Sequence, residues 1–344
     1  MQISRPQRPR LTVFVIAAIV AILTTGCQRP PQVAPRAPQP QPRALAPVAG
    51  PEQPAVPESG VLTGGWFAPE GDWLKATEQR LWEQREADAG RTYDVAQTFY
   101  SFGKSFPTWR EPWHIAQGRT PLVTWGAVSA ADVAAGRHDA TIRDRAAGLR
   151  DLDAPVFLRW FGEMDGNAKR ALAGDPATFI AAWRHMHDEF RAAGADNVAF
   201  VWCPNAWAFD VSLQNAMQWY PGGQYVDWVC ADGYNWAPTW EHADWTSFET
   251  VFANFYDWAA GTGKPIMIGE FGAMERNPGE KAAWIQGVRS TVKARFPAIK
   301  ALVYYDEHRC EDDARCYDWS LDSTSASYSA WNTLARDPYF NPQP

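Results

Sequence analysis

Two glutamates stand at the ends of near-continuous apolar runs. Glu163 closes Val-Phe-Leu-Arg-Trp-Phe-Gly-Glu, and Glu270 closes Lys-Pro-Ile-Met-Ile-Gly-Glu. A carboxylate in such surroundings is costly unless it has a partner or a task. Two of them suggest a pair, one carboxylate attacking an acetal carbon while the other protonates the leaving oxygen, a division of labour that needs the groups about 5 to 5.5 Å apart. Taken singly, each is equally well explained as a helix-start acid or a salt-bridge partner. Arg159 lies four residues before Glu163, so strand alternation points it to the same side. A cation there keeps a nearby carboxylate ionised, and Glu270 is the partner expected, with a purely structural ion pair as the alternative.

Around this pair lie groups suited to a polar, ring-shaped ligand. Tyr234 is placed to hydrogen-bond the Glu270 carboxylate, and Trp236 to stack on a sugar. Trp202 and Asn205, in Val-Trp-Cys-Pro-Asn, offer a second ring and a hydroxyl-binding amide. Trp125 and Trp207 are weaker candidates and read first as packing residues. Asp165 and Asp232 each precede a glycine, which turn chemistry explains.

These groups need a frame that brings distant strand ends together. Short β-rich runs at 61–67, 93–99, 121–125, 156–161, 198–202, 226–231, 265–268 and 301–305 alternate with helix-length segments such as 176–193 and 280–295, in which apolar residues recur at three and four. This order predicts an α/β chain, a (β/α)8 TIM barrel, with a doubly wound sheet as the alternative. In a barrel the functional groups sit where strands end, on the C-terminal face. An acidic loop over 306–318 and a closing segment through Trp331 follow the last strand.

The barrel domain is expected over 59–344, a body of ordinary size for this architecture. Before it, three arginines precede an uncharged apolar run at 11–23 and a Thr-Gly-Cys ending at Cys27, the layout of an export signal. That ending resembles a bacterial lipoprotein processing site, with Cys27 as the lipid-bearing residue; ordinary signal cleavage is the alternative. Residues 28–58 carry ten prolines and no apolar periodicity. They read as a disordered, solvated tether. An exported, membrane-anchored protein is expected, or a secreted one without the lipid, and a monomer in either case.

The formal charge is −7, and no basic run follows the first segment, so nucleic acid is not an expected partner. No CxxC or HExxH pattern appears, so neither a metal nor another cofactor is expected. Cys310 and Cys316 are spaced to close a small loop by a disulfide. Cys203 and Cys230 read as buried thiols, with a bridge between them as the alternative. The chain has 19 Trp, 11 Tyr and 17 Phe, a surplus of rings that raises the expectation of a flat, sugar-stacking surface beyond ordinary core use.

Three motifs resemble glycoside hydrolase family 26, the β-mannanase group. They are Tyr-Pro-Gly-Gly-Gln-Tyr-Val-Asp-Trp-Val-Cys-Ala-Asp-Gly-Tyr-Asn-Trp, Lys-Pro-Ile-Met-Ile-Gly-Glu-Phe-Gly and Phe-Leu-Arg-Trp-Phe-Gly-Glu-Met-Asp-Gly. Pro-Leu-Val-Thr-Trp and Trp-Cys-Pro-Asn support them in family order. The resemblance implies a retaining, metal-free, endo-acting hydrolase of β-linked polysaccharide, most simply β-1,4-mannan, with acid/base Glu163, nucleophile Glu270 and nucleophile-contacting Tyr234. Glucan, xylan or an exopolysaccharide are alternatives within that class, and a tethered glycan-binding protein without turnover is the alternative outside it. The pattern departs where the family has histidine before the acid/base and tryptophan five residues after it; Gly162 and Ala168 stand there, and Asp165 replaces an asparagine.

Overall fold

A computed structural model describes residues 52–342, apart from 211, 213–214, 240–242 and 313–314. The export signal, Cys27 and most of the proposed tether lie outside the described residues. The last part of that tether, 52–58, has no regular secondary structure and touches the following domain: Gln53 donates to the Val198 carbonyl at 3.3 Å, and Lys300 to that of Pro57 at 2.9 Å. Among the described residues no helix is long and apolar enough to cross a membrane.

Eight parallel strands close into a barrel in sequence order. They are β1 (Leu62–Phe67), β2 (Val95–Tyr100), β3 (Thr120–Trp125), β4 (Val156–Trp160), β5 (Val198–Trp202), β6 (Trp228–Asn235), β7 (Ile266–Ala273) and β8 (Ile299–Asp306). Around them lie α1 (Lys75–Ala89), α2 (Arg110–Ala116), α3 (Ala130–Ala134), α4 (Asp139–Arg150), α5 (Asn167–Ala173), α6 (Pro176–Ala192), α7 (Phe248–Ala260), α8 (Glu280–Ala294) and α9 (Ser325–Arg336). The arrangement is the expected (β/α)8 barrel.

The helices form for local reasons. In α6, Asp175 caps the N-terminus by accepting from Thr178 N at 2.9 Å, and Pro176 occupies the first turn, where its missing N–H costs nothing. Phe179, Ala182, Trp183, Met186 and Phe190 then recur on one face and are all buried against the barrel.

Alternation along the strands divides the apolar residues into two layers. Val95, Leu122, Phe157, Ala199, Val201, Cys230, Met267, Ala301 and Val303 fill the barrel interior. Val123, Leu158, Trp160, Phe200, Trp202, Ile268 and Leu302 pack outward with the helices. The layers set which residues near the strand ends reach the mouth.

Three expectations are corrected. The segment 306–318 is a β-hairpin rather than a loop: β9 (His308–Asp312) pairs antiparallel with β10 (Arg315–Asp318), with Cys310 opposite Cys316 and bridged to it. Cys203 and Cys230 are joined by a disulfide rather than free, because adjacent β5 and β6 bring their inward-facing positions to a Cα separation of 4.3 Å. Strands β6 and β7 also run further than the apolar runs suggested, so Tyr234 and Glu270 lie within paired strand rather than beyond it.

Candidate active site

Arg159 is the centre of the site. It lies on β4 between inward Phe157 and the chain reversal after Trp160, and its side chain is almost wholly buried. Its Nη1 donates to Glu270 Oε1 and its Nη2 to Asp232 Oδ2. Burial works against its charge, but Asp232, Glu270 and Glu163 outweigh that effect and raise its pKa above the ordinary value.

Glu270 reaches Arg159 because β7 contains one residue too many. Ala231 faces Ile268 across β6, while Asp232 faces Glu270, and the same register shift occurs against β8. The extra residue is Gly269. Met267 points into the barrel and Phe271 outward although they have the same parity, so the bulge reverses the phase between them and aims Glu270 inward. A Cβ at Gly269 would lie 2.5 Å from Cys230 Sγ and 3.0 Å from Cys203 Sγ, so glycine lets the disulfide pass beneath the bulge. The second carboxylate oxygen, Oε2, accepts from Tyr234 Oη at 2.6 Å. Burial and the facing carboxylate push the Tyr234 hydroxyl well above its ordinary pKa, so it remains the donor.

Glu163 lies beyond β4, where the chain turns sharply. Phe161 and Glu163 both adopt left-handed backbone, at φ 53° and 59°, on either side of Gly162. Such conformations cost of order 1 kcal/mol or more for a non-glycine residue and persist where the surroundings demand them. Here Phe161 is buried in the outer layer, and Glu163 N is held by the Cys203 carbonyl at 2.8 Å. The Glu163 side chain, 30% exposed, accepts from Lys169 Nζ at 3.0 Å, and the same amine donates to the Gly162 carbonyl at 2.7 Å. Burial favours the neutral acid, but Lys169 and Arg159 overcome it and lower the Glu163 pKa.

Asp232 was misread as a turn residue. It is fully enclosed, and burial raises its pKa well above the carboxylate range, with Glu270 and Glu163 adding to the rise against the pull of Arg159. Asp165 is structural: it accepts from Asn205 N at 3.1 Å, and burial pushes its pKa up to about 6. The Asn205 amide, expected at a sugar hydroxyl, also faces Asp165, at 3.4 Å. Trp236 is half-buried and packs against Tyr234 and Trp319 near the mouth.

Trp202 and Trp125 are corrected as sugar contacts. Both are fully buried in the outer layer, Trp202 against Tyr220 and Trp258, and Trp125 stacked on Phe102 with its Nε1 donating to the Phe102 carbonyl. Residues 201 and 203 face inward, so residue 202 faces out. The same parity places Trp66, Phe99 and Tyr305 on the inward side at the mouth. Together with Lys169 and Asp232, they are site groups that motif reading passed over.

Residues 129–260, which include Glu163 and Tyr234 but end before Glu270, match the model for Glycosyl hydrolase family 26. Over that stretch the chain is similar to this family. It is 29% identical over 293 residues to Endoglucanase H of Acetivibrio thermocellus, covering 79% of this chain and 30% of that protein. It is 34% identical over 104 residues to the β-1,3-xylanase TXYA of a Vibrio species, covering 28% of this chain and 21% of the relative. The chain thus spans less than a third of the length of either relative. A family 26 β-mannanase from Bacteroides ovatus shares its fold at TM-score 0.59 and 15% identity, over 82% of this chain and 90% of that one.

Proposed function

We propose that this chain is a retaining, endo-acting hydrolase of β-linked polysaccharide, with Glu270 as nucleophile and Glu163 as acid/base. The observation that carries the reading is the double hold on Glu270. Arg159 donates to one carboxylate oxygen and Tyr234 to the other, at the open end of a barrel, where a carboxylate with no task would be a liability.

Glu163, carrying a proton, donates it to the glycosidic oxygen as that bond breaks, while Glu270 attacks the anomeric carbon and forms a glycosyl ester. Glu163, now ionised, takes a proton from water; the hydroxide portion displaces Glu270, and the sugar leaves with its original anomeric configuration. Lys169 favours the ionised form needed in the second half and opposes the protonated form needed in the first. Its withdrawal as substrate enters would restore the acid.

For the backbone, a β-glucan is the first candidate, because the relative aligned over most of this chain is named an endoglucanase. The β-1,4-mannan implied by the motifs stands second, since Gly162 and Ala168 depart from that pattern. The ion pair between Glu163 and Lys169 favours one further reading, a glycan-binding protein without turnover. We also propose export and anchoring by a lipid on Cys27, with the barrel acting as a monomer; a Cys27→Ala variant should move from the detergent phase to the aqueous phase.

A panel of lichenan, glucomannan, mannan and xylan tests the assignment. Wild type should cleave at least one, with retention seen by NMR of the first product, and Glu270→Ala should lose at least about 10⁴-fold in kcat. A wild type that cleaves none of them defeats the hydrolase reading; an inverted product defeats the nucleophile assignment.

A further inference from the structure

Lys281 lies in the first turn of α8, and its side chain is wholly buried. Both facts oppose its charge. Burial brings its pKa down to about 8, against the pull of Asp318, Asp306, Glu275 and Asp322, and the positive end of a helix dipole disfavours a cation in that turn. At neutral pH it still carries its proton, yet the atoms it bonds are not carboxylates. Its Nζ donates to the carbonyls of Asp318 and Ser320, at 3.2 and 2.6 Å, and to Ser323 Oγ at 2.9 Å. These acceptors occupy every donor of the ammonium. A methionine would fill the same space without burying a charge.

The two carbonyls belong to the residues on either side of Trp319, whose ring is buried. Trp319 N donates to the Glu307 carbonyl at 3.0 Å, and its own carbonyl accepts from Tyr304 Oη at 3.0 Å, so its backbone is also tied to the end of β8. The ring stands over Gly272, where a Cβ would lie 3.0 Å from Trp319 Cδ1. It meets the Tyr234 ring at a centroid distance of 4.8 Å. Tyr234 and Gly272 face each other across β6 and β7. Trp319 thus leans on the ring whose hydroxyl donates to Glu270 and on β7 just beyond that glutamate.

We propose that Lys281 is a positioning residue for the reaction: by holding the carbonyls before and after Trp319 it seats that ring against Tyr234 and so aims the Tyr234 hydroxyl at Glu270. A satisfied buried ammonium can do this where an apolar residue cannot, because its hydrogen bonds fix one arrangement of the 318–323 backbone while packing alone allows several. A helix on the outside of the barrel in this way acts on the nucleophile through Trp319 and Tyr234. The inference rests on the role assigned to Glu270 above.

The test is a double-mutant cycle of Lys281→Met and Tyr234→Phe on whichever polysaccharide of the panel wild type cleaves, with released reducing ends followed over hours so that weak variants are measurable. Lys281→Met alone should lower kcat about 30-fold, on the scale of a misplaced reacting group, with KM within about threefold of wild type. In the Tyr234→Phe background, where no hydroxyl is left to aim, the same substitution should lower kcat by less than about threefold. Lys281→Gln keeps donors toward the carbonyls and should lose less than Lys281→Met; it carries the same cycle if circular dichroism shows that Lys281→Met does not fold. Equal losses in the two backgrounds, or a kcat that Lys281→Met leaves unchanged, overturn the proposal and leave the hydrolase reading intact. A wild type that cleaves nothing, or a Glu270→Ala variant as active as wild type, overturns both.

Discussion

A Cβ placed on Gly162 would lie 2.5 Å from Nε and from Nη2 of Arg159. The residue before the candidate acid/base is therefore glycine because the guanidinium passes against it on its way to Glu270 and Asp232. Gly162→Ala should push the arginine aside and lower kcat about 100-fold, the scale expected when a reacting group is misplaced by around 1 Å. Steady-state kinetics with an unfolding curve as control would check this; a change under about threefold would show that Arg159 tolerates the methyl group.

Lys169 sets the pH range over which Glu163 can donate. Because Lys169 and Arg159 hold the Glu163 pKa down, its proton is lost at a lower pH than for a free glutamate, and activity that needs the acid form falls as pH rises through that value. Lys169→Met removes one of these charges and raises the pKa. The alkaline limb of kcat/KM should move to higher pH, while Lys169→Arg should leave it in place. A limb that stays fixed in Lys169→Met would assign it to another group.

Trp202 should matter for stability and not for sugar binding. Trp202→Ala empties a site between Tyr220, Phe209 and Trp258, at a cost of about 3 to 5 kcal/mol in chemical denaturation. Trp202→Phe keeps most of the contact and should leave KM within about twofold of wild type. A large rise in KM for that variant would return the ring to the binding surface.

The Cys203–Cys230 bridge closes a separation of 27 residues, for which constraint of the unfolded chain predicts about 3.5 kcal/mol of stabilisation. The double variant Cys203→Ala with Cys230→Ala should lose that amount in urea unfolding. It should also lose activity in the folded state, because Gly269, which precedes Glu270 in the bulge, lies close against the two sulfurs. Full activity with reduced stability would confine the bridge to a structural role.

The eight strands were legible because parallel strands buried on both faces read as unbroken apolar runs, and the helices because their apolar spacing and caps are local. The hairpin of β9 and β10 was not, since its pairing is fastened by a disulfide across acidic, polar sequence rather than by an apolar pattern. Trp202 and Trp125 were misplaced for want of counting parity from inward Val201 and Leu122. Asp232 escaped notice because aspartate before glycine has a sufficient local explanation, and only the fold brings Arg159 to it. Glu270 is the opposite case: strict alternation from inward Met267 would turn it outward, and motif context found what parity would have rejected.

The orientation of Glu270 depends on a count of residues, not on the chemistry of any one of them. Deleting Gly269 would restore regular pairing with β6 and rotate the glutamate into the layer of the helices, with every functional residue type still present in the chain. A descendant shortened by that single codon would retain the motif by composition and have no nucleophile, so for this protein the spacing within β7 is as much a mark of an active copy as the glutamate.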